Sequence, residues 1–389
     1  MDSSMLFAIP EPDPQEEAVI ARIDEVRKAL TYATASRRWT GVLARMTFAR
    51  DIQGSNSIEG YNATIDDALA AVDGEEPLDA AGETWAALTG YRQAMSYVLQ
   101  LSDDPHFAYS PALIRSLHYM MVQHDLTKHP GKWRPGPIFV RNEQSGQRVY
   151  EGPDAQLVNA LLEELVNQLN EPPAGTHPLL LAAMSHLNLV MVHPFSDGNG
   201  RMARALQTLV LARSGVLSPQ FCSIEEYLGK NRQPYYDVLA KVGAGRWQPE
   251  RDARPWVRFC LTAHFRQATT LMRRARLMHR LWDLVEQRVK ELGLPERTVP
   301  VLAEAAIGFK ARNATYRKNA DVSENLASRD LKQLVGAGLL EAKGERRGRY
   351  YVASKELRAF GIEADAGEPH GVPDPFEMSG YLPGLAPLP

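Results

Sequence analysis

The sequence has very little cysteine and no long apolar run. Only Cys222 and Cys260 occur, without the spacing of metal ligands, which suits a reducing compartment and gives no sign of a disulfide framework. The most apolar stretch, HPLLLAAMSHLNLVMV, is too short to span a bilayer and contains His186 and Asn188. The N-terminus lacks the basic start and apolar run of a signal peptide. These absences predict a soluble, cytoplasmic protein.

There is also no large excess of charge of either sign. The formal net charge is -3, from 44 Lys and Arg against 47 Asp and Glu. This balance argues against a surface built throughout to coat nucleic acid. The chain has 389 residues, of which 44% are hydrophobic and 23% charged, as in an ordinary globular protein of two or three domains.

Apolar residues recur at helical spacing through most of the chain, which predicts a mainly α protein. The first helix is expected near Pro14, and helices continue to about Leu126. A Gly- and Pro-rich stretch follows, in which PIFV and QRVY flank the turn-forming NEQSG, and this pattern predicts a small β-hairpin. Further helices are predicted at about 177–192, 200–213 and 255–292.

The character of the sequence changes from about Thr298. A short helix, a turn, a helix over 324–335 and two strands around the basic turn KGERRGR predict a winged helix-turn-helix. The final residues are rich in Pro and Gly without periodicity and predict a mobile tail. The predicted divisions are an N-terminal helical region, a core with the long helix, the winged helix and the tail, at 1–105, 106–292, 293–355 and 356–389.

The stretch HPFSDGNGRMAR, residues 193–204, crowds residues that are awkward in a plain helical protein. Two glycines let the backbone approach a ligand closely, and the free amides and dipole of the helix that follows favour an anion such as phosphate. Two arginines three residues apart can clamp phosphate oxygens, and the asparagine can donate to the same group. The predicted phosphate-binding residues are Gly198, Asn199, Gly200, Arg201 and Arg204.

The same stretch offers a metal ligand and a base. Asp197 should stay ionised among so much positive charge, and Mg²⁺ typically takes one or two carboxylates plus phosphate oxygens. His193 is the residue here that can accept a proton near neutral pH. Together these groups suggest transfer of a phosphate-containing group to a hydroxyl. A buried structural histidine beside an ordinary Gly-Asn-Gly turn is the alternative interpretation.

HPFSDGNGRMAR resembles the signature of the Fic (Fido) family of nucleotidyl transferases, HPFx[D/E]GNGRxxR, at every defining position. The resemblance covers roughly residues 10–292. It implies a Fic-type helical core, with His193 as the general base that deprotonates a target hydroxyl, which attacks the α-phosphate of ATP. It also implies Asp197 as the Mg²⁺ ligand, AMP as the transferred group and pyrophosphate as the leaving group.

The resemblance gives roles to two further segments. The predicted hairpin corresponds to the family's flap, with Val140 and Arg141 beside the nucleotide, although RN follows the valine where many relatives have Gly-Gly. EYLGKNRQPYYDVL resembles the segment that shapes the adenine pocket, with Asn231, Tyr235 and Tyr236 as candidates. Either tyrosine could equally be a core residue of a helix.

A second motif, SNSIEG, resembles the family's inhibitory signature [S/T]xxxE[G/N] at Ser55, Glu59 and Gly60. In this interpretation Glu59 pairs with Arg204 and occupies the place of the ATP γ-phosphate. The alternative is a helix end capped by Gly60 with a solvated Glu59.

These observations predict an ATP- and Mg²⁺-dependent protein adenylyltransferase, restrained by Glu59, that acts on a Ser, Thr or Tyr hydroxyl of a target protein or of itself. The alternatives are a DNA-binding regulator with a nucleotide-sensing core and an enzyme that mainly removes AMP. The sequence leaves a homodimer and DNA binding open. The basic or polar residues predicted to face DNA are Ser328, Arg329, Lys332, Gln333, Lys343, Arg346, Arg347 and Arg349.

Overall fold

Helices make up most of the protein, as the sequence predicts. The computed structural model describes residues 5–141, 146–215, 219–345, 348–367 and 371–378. Its helices are α1 (Pro14–Thr34), α2 (Thr40–Ile58), α3 (Ile65–Asp73), α4 (Gly82–Leu101), α5 (Pro111–Val122), α6 (Val158–Asn170), α7 (Pro178–Val192), α8 (Asn199–Arg213), α9 (Glu225–Lys230), α10 (Arg232–Gly243), α11 (Arg254–Glu291), α12 (Val299–Ala306), α13 (Asn313–Asn319), α14 (Glu324–Gly336) and α15 (Lys355–Asp365). None of the described helices is both long and apolar enough to cross a membrane.

The strands are short and lie in two small sheets. β1 (Phe139–Arg141) and β2 (Arg148–Glu151) form the predicted antiparallel hairpin, and β3 (Gly245–Arg246) adds to β2 in parallel. The turn of this hairpin, predicted at NEQSG, lies largely outside the described residues. The second sheet pairs β4 (Leu340–Lys343) with β5 (Tyr350–Ala353) in antiparallel register.

Two consecutive helices form the centre of the core. α7 is apolar on nearly every face, begins with Pro178 in its first turn and is buried along almost its whole length. α8 packs against it and is buried almost throughout. Gly198 caps the start of α8 with a φ of 75°, a conformation that favours glycine, and an added Cβ there would also crowd His118. The loop between these helices therefore has a fixed shape.

α2 is held close to α9 because two glycines face each other. A Cβ at Gly229 would lie 2.7 Å from the Gly54 Cα, and one at Gly54 would lie 2.5 Å from the Glu225 carbonyl oxygen. α2 ends at Ile58, and Gly60, with a φ of 84°, lets the chain leave the helix. The backbones thus approach closely, which fixes where the end of α2 points.

The C-terminal elements pack on the second half of the 38-residue helix α11. After α12 come α13, α14 and the β4–β5 hairpin, with Ala311 bridged to Tyr351, in the order predicted for a winged helix-turn-helix. That assignment stays a prediction. Arg346 and Arg347 lie outside the described residues.

The predicted tail at 356–389 needs correction at its start. Residues Lys355–Asp365 form α15, whose Ser354 side chain caps the Leu357 amide at 3.2 Å. Leu357 and Ala364 are buried against the core. In the sequence, the Pro- and Gly-rich residues further on obscure this short apolar face. Residues 368–370 and 379–389 lie outside the described residues.

Candidate active site

His193 follows α7 in a left-handed backbone conformation with a φ of 51°. Non-glycine residues seldom adopt this conformation, and those that do cluster at functional sites. The His193 Nδ1 lies 2.9 Å from the carbonyl oxygen of Val190. Because a carbonyl oxygen only accepts, Nδ1 carries the proton and Nε2 keeps its lone pair. Burial lowers the pKa of the imidazole, so at neutral pH the ring is uncharged and can accept a proton at Nε2.

The loop between α7 and α8 is held in shape by hydrogen bonds from side chains to its own backbone. The Asn199 side chain accepts a hydrogen bond from the Phe195 amide at 2.9 Å and donates one to the Phe195 carbonyl oxygen at 2.8 Å. Phe195 is fully buried and stacks on His118, which donates from Nε2 to the Asp197 carbonyl oxygen at 2.9 Å. The Asn199 side chain therefore shapes the loop. Its amide nitrogen has a second hydrogen, so the predicted hydrogen bond to a phosphate stays a prediction.

Arg201 and Arg204 extend from α8 into the protein, and each residue is only 1% exposed. Among the described residues, Arg201 Nε, Arg201 Nη1 and Arg204 Nη1 have no hydrogen-bond partner. Leaving a buried donor without an acceptor costs about 1–3 kcal/mol, and more when the donor is charged. The two guanidinium groups are therefore suited to an anion that brings several oxygens, as phosphate does.

The Glu59 carboxylate lies in this cationic site. Its Oε1 is 2.7 Å from Arg204 Nη2, and Arg204 also donates from Nε to the Ser55 hydroxyl at 2.8 Å. A Cβ added at Gly200 would collide with the same carboxylate oxygen, so Glu59 stands at the N-terminus of α8, where the helix dipole favours negative charge. Burial by itself lowers the pKa of Arg204, but the facing Glu59 carboxylate outweighs it and the net pKa is raised. The predicted pairing of Glu59 with Arg204 is present.

The SNSIEG segment is also a capped helix end. The amide of Gly60 donates to the Ser57 carbonyl oxygen at 3.2 Å, and the amide of Tyr61 donates to that of Asn56 at 3.0 Å. The two interpretations of this motif are therefore compatible, because the cap at Gly60 directs the Glu59 side chain, which is 23% exposed, toward α8.

Asp197 has one oxygen held by the loop and one turned to a cation. Its Oδ1 accepts from the Gly198 amide at 2.6 Å, and its Oδ2 lies 3.2 Å from the Lys128 ammonium. Burial raises the pKa of this carboxyl, but Arg201 and Lys128 outweigh burial and the net pKa is lowered. The described residues contain no group of three or more His, Cys, Asp or Glu side chains gathered around one point. Asp197 Oδ2, which already faces a positive charge, is the atom that fits a divalent cation bound together with phosphate oxygens.

The flap lies beside the end of α7. The Arg134 guanidinium donates from Nε to the His193 carbonyl oxygen at 2.9 Å, and the Tyr150 hydroxyl of β2 donates to the Met191 carbonyl oxygen at 2.9 Å. Val140 is half-buried and Arg141 is exposed, and the register of the ladder shifts between them. These anchors hold the β1–β2 hairpin against the end of α7, and the nucleotide contacts of Val140 and Arg141 stay predictions.

The candidates for the adenine pocket lie in different surroundings, and one of them needs correction. Tyr235 is 1% exposed, its hydroxyl lies 3.0 Å from His186 Nε2, and its ring packs near Trp256. It is a core residue, so the predicted contact with a base is corrected in favour of the alternative. An aromatic pair in a helix could not reveal beforehand which ring faces inward.

The other two candidates remain at the surface of the site. Tyr236 is 42% exposed, and its hydroxyl donates to the Ile58 carbonyl oxygen at 2.8 Å, one residue before Glu59. Asn231 joins α9 to α10 and donates from its side chain to the Tyr227 carbonyl oxygen at 2.8 Å.

Several residues of the site were not predicted from the sequence. His118, Arg134, Tyr61 and Lys128 all contact the motif loop or its side chains, yet they come from four separate segments. The aromatic and basic GKWRPGP stretch was a usable signal for Arg134. For Lys128 and Tyr61 no local pattern marks the contact, because a single lysine or tyrosine is common in any loop.

The part of the chain that carries this site is similar to a known family of proteins. Residues 108–211 match the Fic/DOC family model, a range that includes the flap and all of HPFSDGNGRMAR but not SNSIEG. The chain is 27% identical over 257 residues to a protein adenylyltransferase Fic of Nematostella vectensis, an alignment that covers 65% of this chain and 55% of that protein. It is 28% identical over 294 residues to one of Culex quinquefasciatus, covering 74% and 51%. The chain thus spans about half the length of the curated relatives it matches.

Solved structures give the same fold. A Fic family protein from Desulfovibrio desulfuricans G20 superposes with a TM-score of 0.57 at 22% identity, over 89% of this chain and 98% of that one. A Fic domain containing signaling protein from Bacteroides thetaiotaomicron superposes with a TM-score of 0.55 at 20% identity, over 65% and 97%. The predicted resemblance to the Fic family is confirmed, and so is the mainly α fold.

Proposed function

From the match of residues 108–211 to the Fic/DOC family model, we propose that the chain is a protein adenylyltransferase. It transfers AMP from ATP to a Ser, Thr or Tyr hydroxyl of a target protein. The observation that carries the proposal is the neutral His193 in one loop–helix motif with two buried arginines. Three of their donor atoms, Arg201 Nε, Arg201 Nη1 and Arg204 Nη1, lack acceptors among the described residues.

Each group has a defined task in this reaction. His193 Nε2 takes the proton of the target hydroxyl, whose oxygen bonds to the α-phosphorus of ATP while the bond to pyrophosphate breaks. Arg201 and Arg204, with the glycines and free amides at the start of α8, bind the phosphates. Asp197 would hold Mg²⁺, which neutralises phosphate charge. The edge of β1 would take the extended backbone of the target.

We further propose that Glu59 restrains this activity. Its carboxylate occupies the cationic site at Arg204 and the start of α8, where a terminal phosphate of ATP would otherwise bind. An ATP molecule that enters beside Glu59 has to place its phosphates differently. Such a displaced α-phosphorus is poorly aligned for in-line attack.

The test of the base is His193→Ala, with His106→Ala, an exposed histidine before α5, as the matched control. Transfer of labelled AMP should fall by about 10²–10⁴-fold, the usual loss when a general base is removed. Binding of ATP should change little, because the phosphate site does not use the imidazole. Labelling of targets at the unaltered rate by His193→Ala would refute the assignment.

A further inference from the structure

Lys128 lies at the centre of the site, although the proposed reaction gives it no task. Its Nζ is 2.8 Å from the Tyr61 hydroxyl, 2.8 Å from Glu83 Oε1 and 3.2 Å from Asp197 Oδ2. The side chain is only 17% exposed. The Glu83 and Asp197 carboxylates beside it favour the charged ammonium. A charged group therefore sits at the one Asp197 oxygen that faces the site.

Tyr61 connects this lysine to the inhibitory segment. It follows Glu59 by two residues, and its ring faces the Arg201 guanidinium, with 5.2 Å between the Arg201 Cζ and the ring centroid. Its hydroxyl also donates to Glu83 Oε1 at 2.9 Å. Residues 59–61 thus cover both arginines, with Glu59 on Arg204 and Tyr61 on Arg201, and the outer end of Tyr61 is held by Lys128 and Glu83.

Resting on the function proposed above, we propose that Lys128 is the resident cation of the inhibited state. Its ammonium pairs with the Asp197 carboxylate in the place of a divalent metal. Through its contact with the Tyr61 hydroxyl it also holds residues 59–61 over Arg201 and Arg204. A complex of metal and nucleotide needs the same Asp197 oxygen and the same guanidinium groups. The metal and the ammonium repel each other at that carboxylate, so metal binding displaces Lys128 and loosens Tyr61. Metal binding and release of the inhibitory segment are thereby coupled.

Calorimetry measures the coupling as the affinity for ATP in the presence of Mn²⁺ divided by the affinity for ATP in the presence of EDTA. All variants carry His193→Ala, so that no transfer consumes the nucleotide. Lys128→Met should raise this ratio by about fivefold or more, on the scale of a partly buried ion pair. Without the ammonium, the site attracts the negative charge of metal-free ATP less strongly. The complex of metal and ATP binds more strongly, because its metal no longer meets a positive charge at Asp197. Lys132→Met, which neutralises an exposed lysine four residues further on, is the matched control and should leave the ratio unchanged.

Tyr61→Phe provides a second test that retains the ring over Arg201. It removes the hydroxyl that contacts Lys128 and Glu83, so amide hydrogens of residues 57–63 should exchange several-fold faster without nucleotide. Lys128→Met should do the same. Ratios and exchange rates equal to those of Lys132→Met would overturn the role of Lys128. If ATP with Mn²⁺ fails to bind even after Glu59→Gly, the proposed function itself fails, and that outcome is separate from an unchanged ratio.

Discussion

The nitrogen atoms of the Arg204 guanidinium have different hydrogen-bond partners, and these partners determine which donors a substrate can reach. Nε goes to the Ser55 hydroxyl, Nη2 is shared between the Ser55 carbonyl oxygen and Glu59, and Nη1 has no partner among the described residues. Ser55 holds the guanidinium in place from α2 whether or not Glu59 is present. Removing the Glu59 carboxylate should therefore free Arg204 without disordering it.

Glu59→Gly is expected to raise AMP transfer by about one to two orders of magnitude. The reason is that a hydrogen bond to a charged group is worth about 1.5–3 kcal/mol, and about 1.4 kcal/mol corresponds to a tenfold change. Self-modification with labelled ATP is the measurement. Arg204→Ala should not imitate the effect, because it removes the phosphate contact together with the inhibitory one. An unchanged rate in a folded Glu59→Gly protein would leave SNSIEG as only a capped helix end.

The pH dependence of transfer should report the environment of His193. A base works when it is unprotonated, and burial lowers the pKa of His193 below its usual value of 6.5. The kcat/KM for transfer should therefore stay level from pH 8 to about 6.5 and decline only at lower pH. The neighbouring Glu59 charge raises this pKa, so the decline should move to still lower pH in Glu59→Gly. A decline centred at or above pH 6.5 would contradict the assignment of this base.

At the scale of elements, the position of Glu59 depends on how α2 is held. Its last carbonyl groups, which have no partners within the helix, accept from α10: Arg232 donates to the Ser57 carbonyl oxygen at 2.6 Å and Tyr236 to that of Ile58 at 2.8 Å. Further back, the contact of Gly54 with Gly229 fixes the distance between α2 and α9. The Glu59 carboxylate is thus positioned by α2, α9 and α10.

Gly229→Ala should separate α2 from α9, because its Cβ would lie 2.7 Å from the Gly54 Cα. We expect the free energy of unfolding to fall by about 1–3 kcal/mol, the usual cost of overpacking, and AMP transfer by the folded fraction to rise. Gly41→Ala, on α2, is the control, because no heavy atom of the described residues lies within 4 Å of its new Cβ. Urea unfolding of the two variants checks the first effect, and equal stabilities would contradict it.

The elements show what sequence patterns can predict here. The α7–loop–α8 unit and the β1–β2 hairpin were predicted because local periodicity and turn residues specify them. The Glu59–Arg204 pair was predicted from the resemblance of SNSIEG to a family signature. Lys128 and Tyr61 were missed because their contacts join distant segments. Tyr235 was a candidate for the pocket because tyrosine serves cores and sites equally well, and only the packing decides between the two.

At the scale of the whole molecule, basic side chains at or near α13 join the C-terminal elements to α3 and the loop after it. Asp66 faces Lys310 at 3.4 Å and Glu75 faces Arg312 at 3.3 Å, while Lys318 donates to the Asp73 carbonyl oxygen at 2.7 Å. Three basic groups at or near α13 are therefore engaged by α3 and the loop after it. The exposed basic residues of α14 are not part of this contact, so it leaves uncovered the face of α14 that is predicted to meet DNA.

If the C-terminal unit binds DNA, the face of α14 should carry the contact. Reversing Arg329 and Lys332, both exposed, to Glu should weaken binding to a labelled duplex and reduce the slope of log affinity against log salt by about 2. Lys28→Glu, an exposed change on α1, controls for net charge. Fluorescence anisotropy at low salt is the measurement. If the unaltered chain shows no affinity for the duplex, the DNA-binding prediction is wrong.

α11 has a practical consequence for any attempt to divide the protein by truncation. It runs unbroken over Arg254–Glu291, with α1 and α10 packed on it as well as the C-terminal helices α12 and α15. Trp282, Val285 and Val289 are buried in its last turns, and Arg288 pairs with Glu356 at 2.8 Å. A fragment ending at 292 would carry these side chains into water and would be prone to aggregate. Loss of activity in such a fragment would report a damaged fold, so point substitutions are the sound way to assign tasks to either half.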